Sequence, residues 1–221
     1  MPRILALIAF FPLAVSIATA QTVVGVDADH SATPVKDSSM LKPPPGVKVA
    51  IIDWTDLECP SCARAFPVVH AAMDHFKVPL IHYDFLIPSH RWSAQAAVFA
   101  RYLQDKVSPP LSTEYRREIF ASQDRIASPD DLDRVTRQFM AGRGKPMPFV
   151  VDPTGQFKRE CQADNDLGLK MGLIHTPTIF VVTQKHWIDV ANFVDLDSAI
   201  EQAKAEVAPK KAAVAQPKTA K

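Results

Sequence analysis

The chain has 221 residues and a formal net charge of +1, with 25 Lys and Arg against 24 Asp and Glu. That length can bury a sizeable core in one domain with room for an insertion. The balanced charge argues against a nucleic-acid or anionic-surface partner, and three cysteines are too few for a disulfide-stapled scaffold.

The N-terminus reads as an export signal. Arg3 precedes an apolar run, Ile4 to Ile17, and Ala18-Thr19-Ala20 puts small residues where a signal peptidase reads. Cleavage is expected near Ala20. The run is short for a membrane span, and an uncleaved anchor is the alternative. Export places the mature chain where disulfides form and persist. Residues 21–45 are polar and end in Pro43-Pro44-Pro45-Gly46. They read as a flexible lead-in, with a short strand near Val23–Val26.

Lys48 to Trp54 is the first strand, a short apolar run. Asp53-Trp54-Thr55-Asp56-Leu57-Glu58-Cys59-Pro60-Ser61-Cys62 follows, and Ala63 to about Phe76 reads as an amphipathic helix. Cys62, Phe66, Val69, Met73 and Phe76 recur at helical spacing. Pro67 falls inside and is expected to kink the helix. Pro79 to Ile87 is a second strand. From Pro88 to about Gly172 the signal is helical: Ser93–Asp105, Ser112–Ser122, Pro129–Ala141 capped by Ser128, and about Asp152 or Pro153 to Met171. Thr176–Val182 is a third strand, with proline near its start. Trp187–Val190 makes a hairpin with it around Gln184-Lys185-His186. Asp195 or Asp197 begins a last helix to about Val207. From Ala208 the Ala, Lys and Pro composition predicts a disordered tail.

A Cys-x-x-Cys at a strand-to-helix junction, in an exported chain, points to thiol–disulfide chemistry. The first cysteine sits at a helix N-terminus, where free N–H groups and the helix dipole favour a thiolate, so Cys59 is expected to ionise easily. A fixed disulfide or half a zinc site is the alternative. Zinc needs two further ligands at matching spacing, and none is apparent.

Together these residues resemble the DsbA-like, extracytoplasmic group of thioredoxin-fold thiol–disulfide oxidoreductases, over roughly Lys48 to Ala205. Cys59-Pro60-Ser61-Cys62 matches the redox motif. Asp53, six residues before Cys59, matches the family's buried acid. Pro67, five residues after Cys62, matches a helix-kinking proline. Thr176-Pro177 matches the cis-proline loop, and Pro88-Ser89-His90 looks like the opening of the helical insertion. The hairpin at Gln184–His186 lacks the family's usual glycines, and the spacer is Pro-Ser, not Pro-His.

The resemblance implies an α/β, thioredoxin-like fold over residues 46–207, with a helical insertion at about 88–172 between the second and third core strands. It implies that Cys59 is the nucleophile and Cys62 the resolving cysteine. Asp53 would lie beneath the motif and pass a proton to or from Cys62; an edge-strand aspartate facing water is the alternative. Pro177 would be cis, facing the cysteines, with Thr176 pairing to substrate backbone; a trans proline opening an ordinary strand is the alternative. Pro60 and Ser61 would tune the redox poise, with the Ser61 hydroxyl available to the thiolate. His175 and Trp54 are candidate rim residues. Cys161 reads as a buried small side chain or as a reactive third thiol.

No cofactor and no metal is implied. The expected partners are cysteine-containing exported polypeptides and a redox partner that resets the cysteines, with no nucleic acid and no stable membrane insertion. Net oxidation is the first expectation and reduction or isomerisation the second. A Cu(I)- or client-binding module without turnover is the rival of a different class.

Overall fold

The structure, a computed structural model, describes residues 35–209. The export signal, the expected strand at Val23–Val26 and the tail beyond Pro209 lie outside the described residues. The elements run β1 (Val49–Thr55), α1 (Pro60–Phe76), β2 (Leu80–Asp84), α2 (Ser93–Lys106), α3 (Pro109–Ala121), α4 (Pro129–Ala141), α5 (Gln156–Met171), β3 (Thr178–Thr183), β4 (Trp187–Asp189) and α6 (Leu196–Val207). Single 3-10 turns lie at Gln123–Arg125 and Phe193–Asp195.

The four strands form one sheet in the order β2-β1-β3-β4. β1 and β2 are parallel, joined through α1, while β3 runs antiparallel to β1 and β4 antiparallel to β3. Every residue of β1 and of β3 is buried, as their near-continuous apolar runs require of strands covered on both faces. Successive side chains point to opposite faces. Val49 and Ile51 join Ile179 and Val181 against α1 and α6, through Ala65, Val69, Leu196 and Ile200. Ala50, Ile52 and Trp54 join Phe180 and Val182 against Phe85, Met171 and Leu173. A third cluster fills the helical insertion, built on Phe99, Leu103, Tyr115, Ile119 and Phe139, and it includes Cys59 and Cys62.

Several boundaries differ from the sequence reading, each for a visible reason. β2 stops at Asp84: Phe85 N still donates to Thr55 O at 2.9 Å, but the following N–H groups go to side chains, Leu86 N to Asn165 Oδ1 and Ile87 N to Asp56 Oδ2, each at 2.9 Å. α3 starts at Pro109, since Ser108 caps it by accepting from Leu111 N. α5 starts only at Gln156, because Asp152 to Gly155 form a turn with Gly155 left-handed (φ 69°). α1 begins at Pro60 and continues through Pro67 to Phe76 as one helix. Ser128 caps α4 as expected, accepting from Asp131 N.

The expected flexible lead-in is corrected where it falls within the described residues. Leu41 is 2 % exposed and packs into the Trp54 cluster with Val35 and Val47 alongside. Lys36 N donates to Met171 O at 2.7 Å. One well-placed leucine is enough to dock a polar stretch. On the same side Gly168 lets α5 press against the sheet, for a Cβ there would come within 2.6 Å of Phe85 and 3.3 Å of Trp54.

Candidate active site

β1 ends at Thr55 and α1 begins at Pro60, so residues 56–59 form the turn that carries the motif. Cys59 is the N-cap of α1 with extended backbone (φ −78°, ψ 119°) and Pro60 takes the first helical position. Proline is suited there because its missing N–H has no helical partner to lose. Cys59 thus stands at the capping position, although its side chain makes no capping hydrogen bond. All three cysteines are free thiols here.

The two sulfurs of the motif differ sharply. The Cys59 thiol falls to about 5, chiefly because the Cys62 thiol hydrogen-bonds to its thiolate. Burial opposes this, while the Thr176 side chain and the N–H groups of Cys62 and Ser61 add to the lowering. Cys62 is pushed well above the usual thiol range, first by burial and then by its bond to Cys59. One sulfur is therefore ionised at neutral pH and the other keeps its proton.

The peptide between Thr176 and Pro177 is cis, and Cys59 Sγ lies 3.4 Å from Thr176 O. The loop before β3 thus meets the start of α1 at the reactive sulfur. His175 is exposed on that loop, and its carbonyl oxygen accepts from the Thr178 hydroxyl at 2.8 Å.

A thioredoxin family model matches residues 45–202. This chain belongs to the thioredoxin family. Solved structures agree on the fold. Proteus mirabilis ScsC in a transitional conformation superposes with a TM-score of 0.58 at 15 % identity, covering 76 % of this chain and 72 % of that one. Wolbachia pipientis alpha-DsbA1 gives 0.56 at 15 % identity over 76 % and 98 %. A periplasmic thioredoxin-like protein from Salmonella enterica serovar Typhimurium gives 0.57 at 15 % identity over 73 % and 87 %. The chain is thus a DsbA-like thioredoxin fold, with α2 to α5 inserted between β2 and β3. Comparison with curated proteins gives no match.

Within this thioredoxin frame some site expectations change. Trp54 is not a rim residue. It is fully buried, stacks on Tyr83 at 4.7 Å between centroids and lies edge-on to Phe180, on the sheet face away from α1. Adjacent strand residues point oppositely, so Asp53 and Trp54 cannot both face the helix that carries the cysteines. Asp53 takes that face and is buried. Its Oδ1 lies 2.8 Å from His82 Nδ1 on the neighbouring strand, where the two residues are register partners. The Ser61 hydroxyl accepts from Arg64 Nη2 at 2.9 Å, and the Ser61 backbone N–H is among the groups that lower the Cys59 thiol.

Three further residues, Asp56, Glu58 and Gln123, hold the motif in place. Asp56 accepts from Glu58 N at 2.7 Å and from Ile87 N at 2.9 Å, with His90 Nδ1 2.8 Å away. Glu58 Oε2 accepts from Trp92 N and Ser93 N, satisfying free N–H groups at the start of α2. Gln123 donates from one amide nitrogen to both Leu57 O and Cys59 O, at 2.8 and 3.1 Å. The Asp-x-Glu just before the motif is the available signal, since carboxylates there can accept from the N–H groups of a nearby turn or helix start. Gln123, 64 residues away in sequence, left none.

Cys161 lies far from this chemistry in character. It is 1 % exposed on α5, with its Sγ 3.5 Å from Asp84 Oδ2. Burial, then the Asp84 charge, pushes its thiol far up. Asp84 is itself the hub of a buried ionic cluster: Arg101 Nε at 2.8 Å, Arg116 Nη1 at 2.9 Å and His82 Nε2 at 3.3 Å. Arg101 also pairs with Asp164. Burial would raise the Asp84 carboxyl, yet Arg116, His82 and Arg101 hold it well below the usual range. Each His82 ring nitrogen faces a carboxylate, which suits the imidazolium, a donor at both positions. Burial and Arg116 oppose that charge, but Asp53 and Asp84 raise the His82 value overall.

Proposed function

We propose that this chain is an extracytoplasmic thiol–disulfide oxidoreductase that donates disulfides to cysteine-containing polypeptides through Cys59 and Cys62. The observation that carries the reading is the arrangement of the pair, with Cys59 at the start of α1 and 3.4 Å from the carbonyl of the cis Thr176-Pro177 loop and Cys62 buried behind it; there the Cys59 thiol falls to about 5 while Cys62 is held protonated. An ionised Cys59 at pH 7 stabilises the reduced state, which makes the corresponding disulfide oxidising. The periplasmic source of one structural relative and the export signal of residues 1–20 support the location. Among the described residues no helix is long and apolar enough to cross a membrane.

In the oxidising direction a substrate thiolate attacks Cys59 of the Cys59–Cys62 disulfide. The S–S bond breaks, Cys62 departs with the electron pair and takes up a proton, and a mixed disulfide joins Cys59 to the substrate. A second substrate thiolate attacks its own neighbour's sulfur and expels Cys59. A thiol of low pKa leaves quickly, so the lowered Cys59 value assists this second step. The substrate loses two electrons and two protons, and the pair gains the electrons. A separate redox partner then removes them.

Thr176 is assigned the backbone pairing that holds an extended substrate beside Cys59, supported by the 3.4 Å approach of its carbonyl oxygen to Sγ. Asp53 is assigned the proton exchange with Cys62, supported by its burial on the α1 face of the strand entering the motif. The test is a reduction potential measured against glutathione together with oxidation of a reduced dithiol peptide. A potential well above thioredoxin's, about −270 mV, with rapid peptide oxidation is expected. A value at or below it would make the chain a reductase. Replacing Asp53 with Asn should slow the first step, in which Cys62 departs and takes up a proton, more than the second, in which Cys59 is expelled.

A further inference from the structure

The geometry points to a charge-selective rim: Cys59 exchanges fastest with polypeptide cysteines flanked by a carboxylate on one side and an apolar residue on the other. This deepens the oxidoreductase reading and rests on it. A substrate cysteine must bring its sulfur to Cys59 Sγ, at the junction of the motif turn with the loop before β3. Its chain neighbours sit about 3.8 Å away at Cα, so they lie against whatever those two segments expose.

On the motif side the outward charge is a single cation. Residues 56–64 carry three charged side chains, Asp56, Glu58 and Arg64. Asp56 is buried and occupied by the N–H groups of Glu58 and Ile87. Glu58 is turned inward onto the start of α2. Arg64 is exposed, and one of its terminal nitrogens is held at 2.9 Å by the Ser61 hydroxyl within the motif itself. That bond fixes the guanidinium beside the redox turn while leaving most of its five donors free for a carboxylate. On the other loop, Ile174 is 72 % exposed two residues before Thr176. A large aliphatic side chain open to water, two residues along the chain from the carbonyl that meets Cys59 Sγ, gains by being covered.

The test uses the full reduced protein and short blocked peptides whose single cysteine carries a 5-thio-2-nitrobenzoate group. Cys59 thiolate attacks the peptide sulfur, the mixed disulfide forms, and the aromatic thiolate leaves and is read by its absorbance. The peptides carry Glu or Lys on one flank and Leu or Ser on the other, in both orders. The Glu peptide should react roughly two- to fivefold faster than the Lys peptide, the span an exposed ion pair supports, and the ratio should shrink in 0.5 M salt, roughly as a Debye length near 4 Å dictates. Arg64→Glu should invert the Glu/Lys ratio, and Ile174→Ser should remove the preference for Leu over Ser while leaving the charge ratio in place. Equal rates for Glu and Lys peptides, or a ratio that Arg64→Glu leaves unchanged, overturns the rim assignment and leaves the enzyme reading standing. Failure of Cys59 to react with any peptide overturns both.

Discussion

Cys59 and Cys161 are both buried, at 8 % and 1 % exposure, yet they ionise in opposite directions. Cys59 terminates a strand-to-helix turn, with backbone N–H groups, the Cys62 thiol and Thr176 directed at its sulfur. Cys161 sits inside α5, where its own helix has already used the nearby N–H groups, and the polar atom facing it is a carboxylate oxygen. Burial is common to both, so it does not decide reactivity. Chain position and the sign of the nearest partner do. The same contrast separates two ways of using buried polarity: at the motif it is arranged to release a proton, and around Asp84 it is arranged to join β2 to α2, α3 and α5.

The contrast breaks most visibly by exchanging serine for each sulfur in turn. Cys59→Ser should abolish disulfide exchange with peptide substrates, whereas Cys161→Ser should leave the rate within about twofold, as expected of a site whose change moves the barrier by under half a kcal/mol. Trapping with iodoacetamide at pH 6 should label Cys59 alone in the folded reduced protein.

Next in size is the ionic hub. Asp84→Ala strands Arg101, Arg116 and His82 in the interior and should cost about 3–5 kcal/mol in urea unfolding. The Cys59 pKa, read by thiolate absorbance, should stay near its original value. A large shift would mean the two centres are not separate. Gly168→Ala forces a Cβ onto Phe85 and Trp54 and should cost about 1–3 kcal/mol, again with no change in thiol titration.

The pH dependence of stability sharpens the contrast further. The folded Cys59 value, about 5, lies below that of a free thiol, about 8.5. Its contribution is therefore fully present above the free-thiol value and lost as pH falls through the folded one. The reduced protein should gain urea resistance between pH 5 and pH 8.5, a slope the Cys59–Cys62 disulfide form lacks because Cys59 then has no proton to lose. Cys161, whose thiol is raised, adds no such gain in that window. The smallest effect is expected from Glu58→Gln, which weakens the acceptor for Trp92 N and Ser93 N and should cost about 1 kcal/mol, the size of a helix cap.

Much of the fold was legible because its signals are local. β1 and β3 announce themselves as short apolar runs, Ser128-Pro129 marks the start of α4, and the Cys-Pro-Ser-Cys turn stands between strand and helix. The errors came where a local pattern met a distant partner. Trp54 was placed near the sulfurs by sequence adjacency, while strand alternation turns it to the other face. The lead-in was read from its polar composition, while Leu41 docks it. The Asp84 cluster joins His82, Arg101, Arg116, Cys161 and Asp164, which occupy β2 and three different helices. Each alone is an ordinary polar or small residue, and only the folded chain brings their charges together. The partners of Glu58 at the start of α2, and the hold of Gln123 on the motif, are of the same kind.

One amide of Gln123 holds the carbonyls of Leu57 and Cys59, and between them Glu58 holds the first turn of α2. The helical lobe therefore clasps the redox turn from both ends. Transplanting Cys59-Pro60-Ser61-Cys62 alone into another scaffold would carry over its letters without its grip, and the reactive sulfur would lose the fixed aim that the clasp gives it.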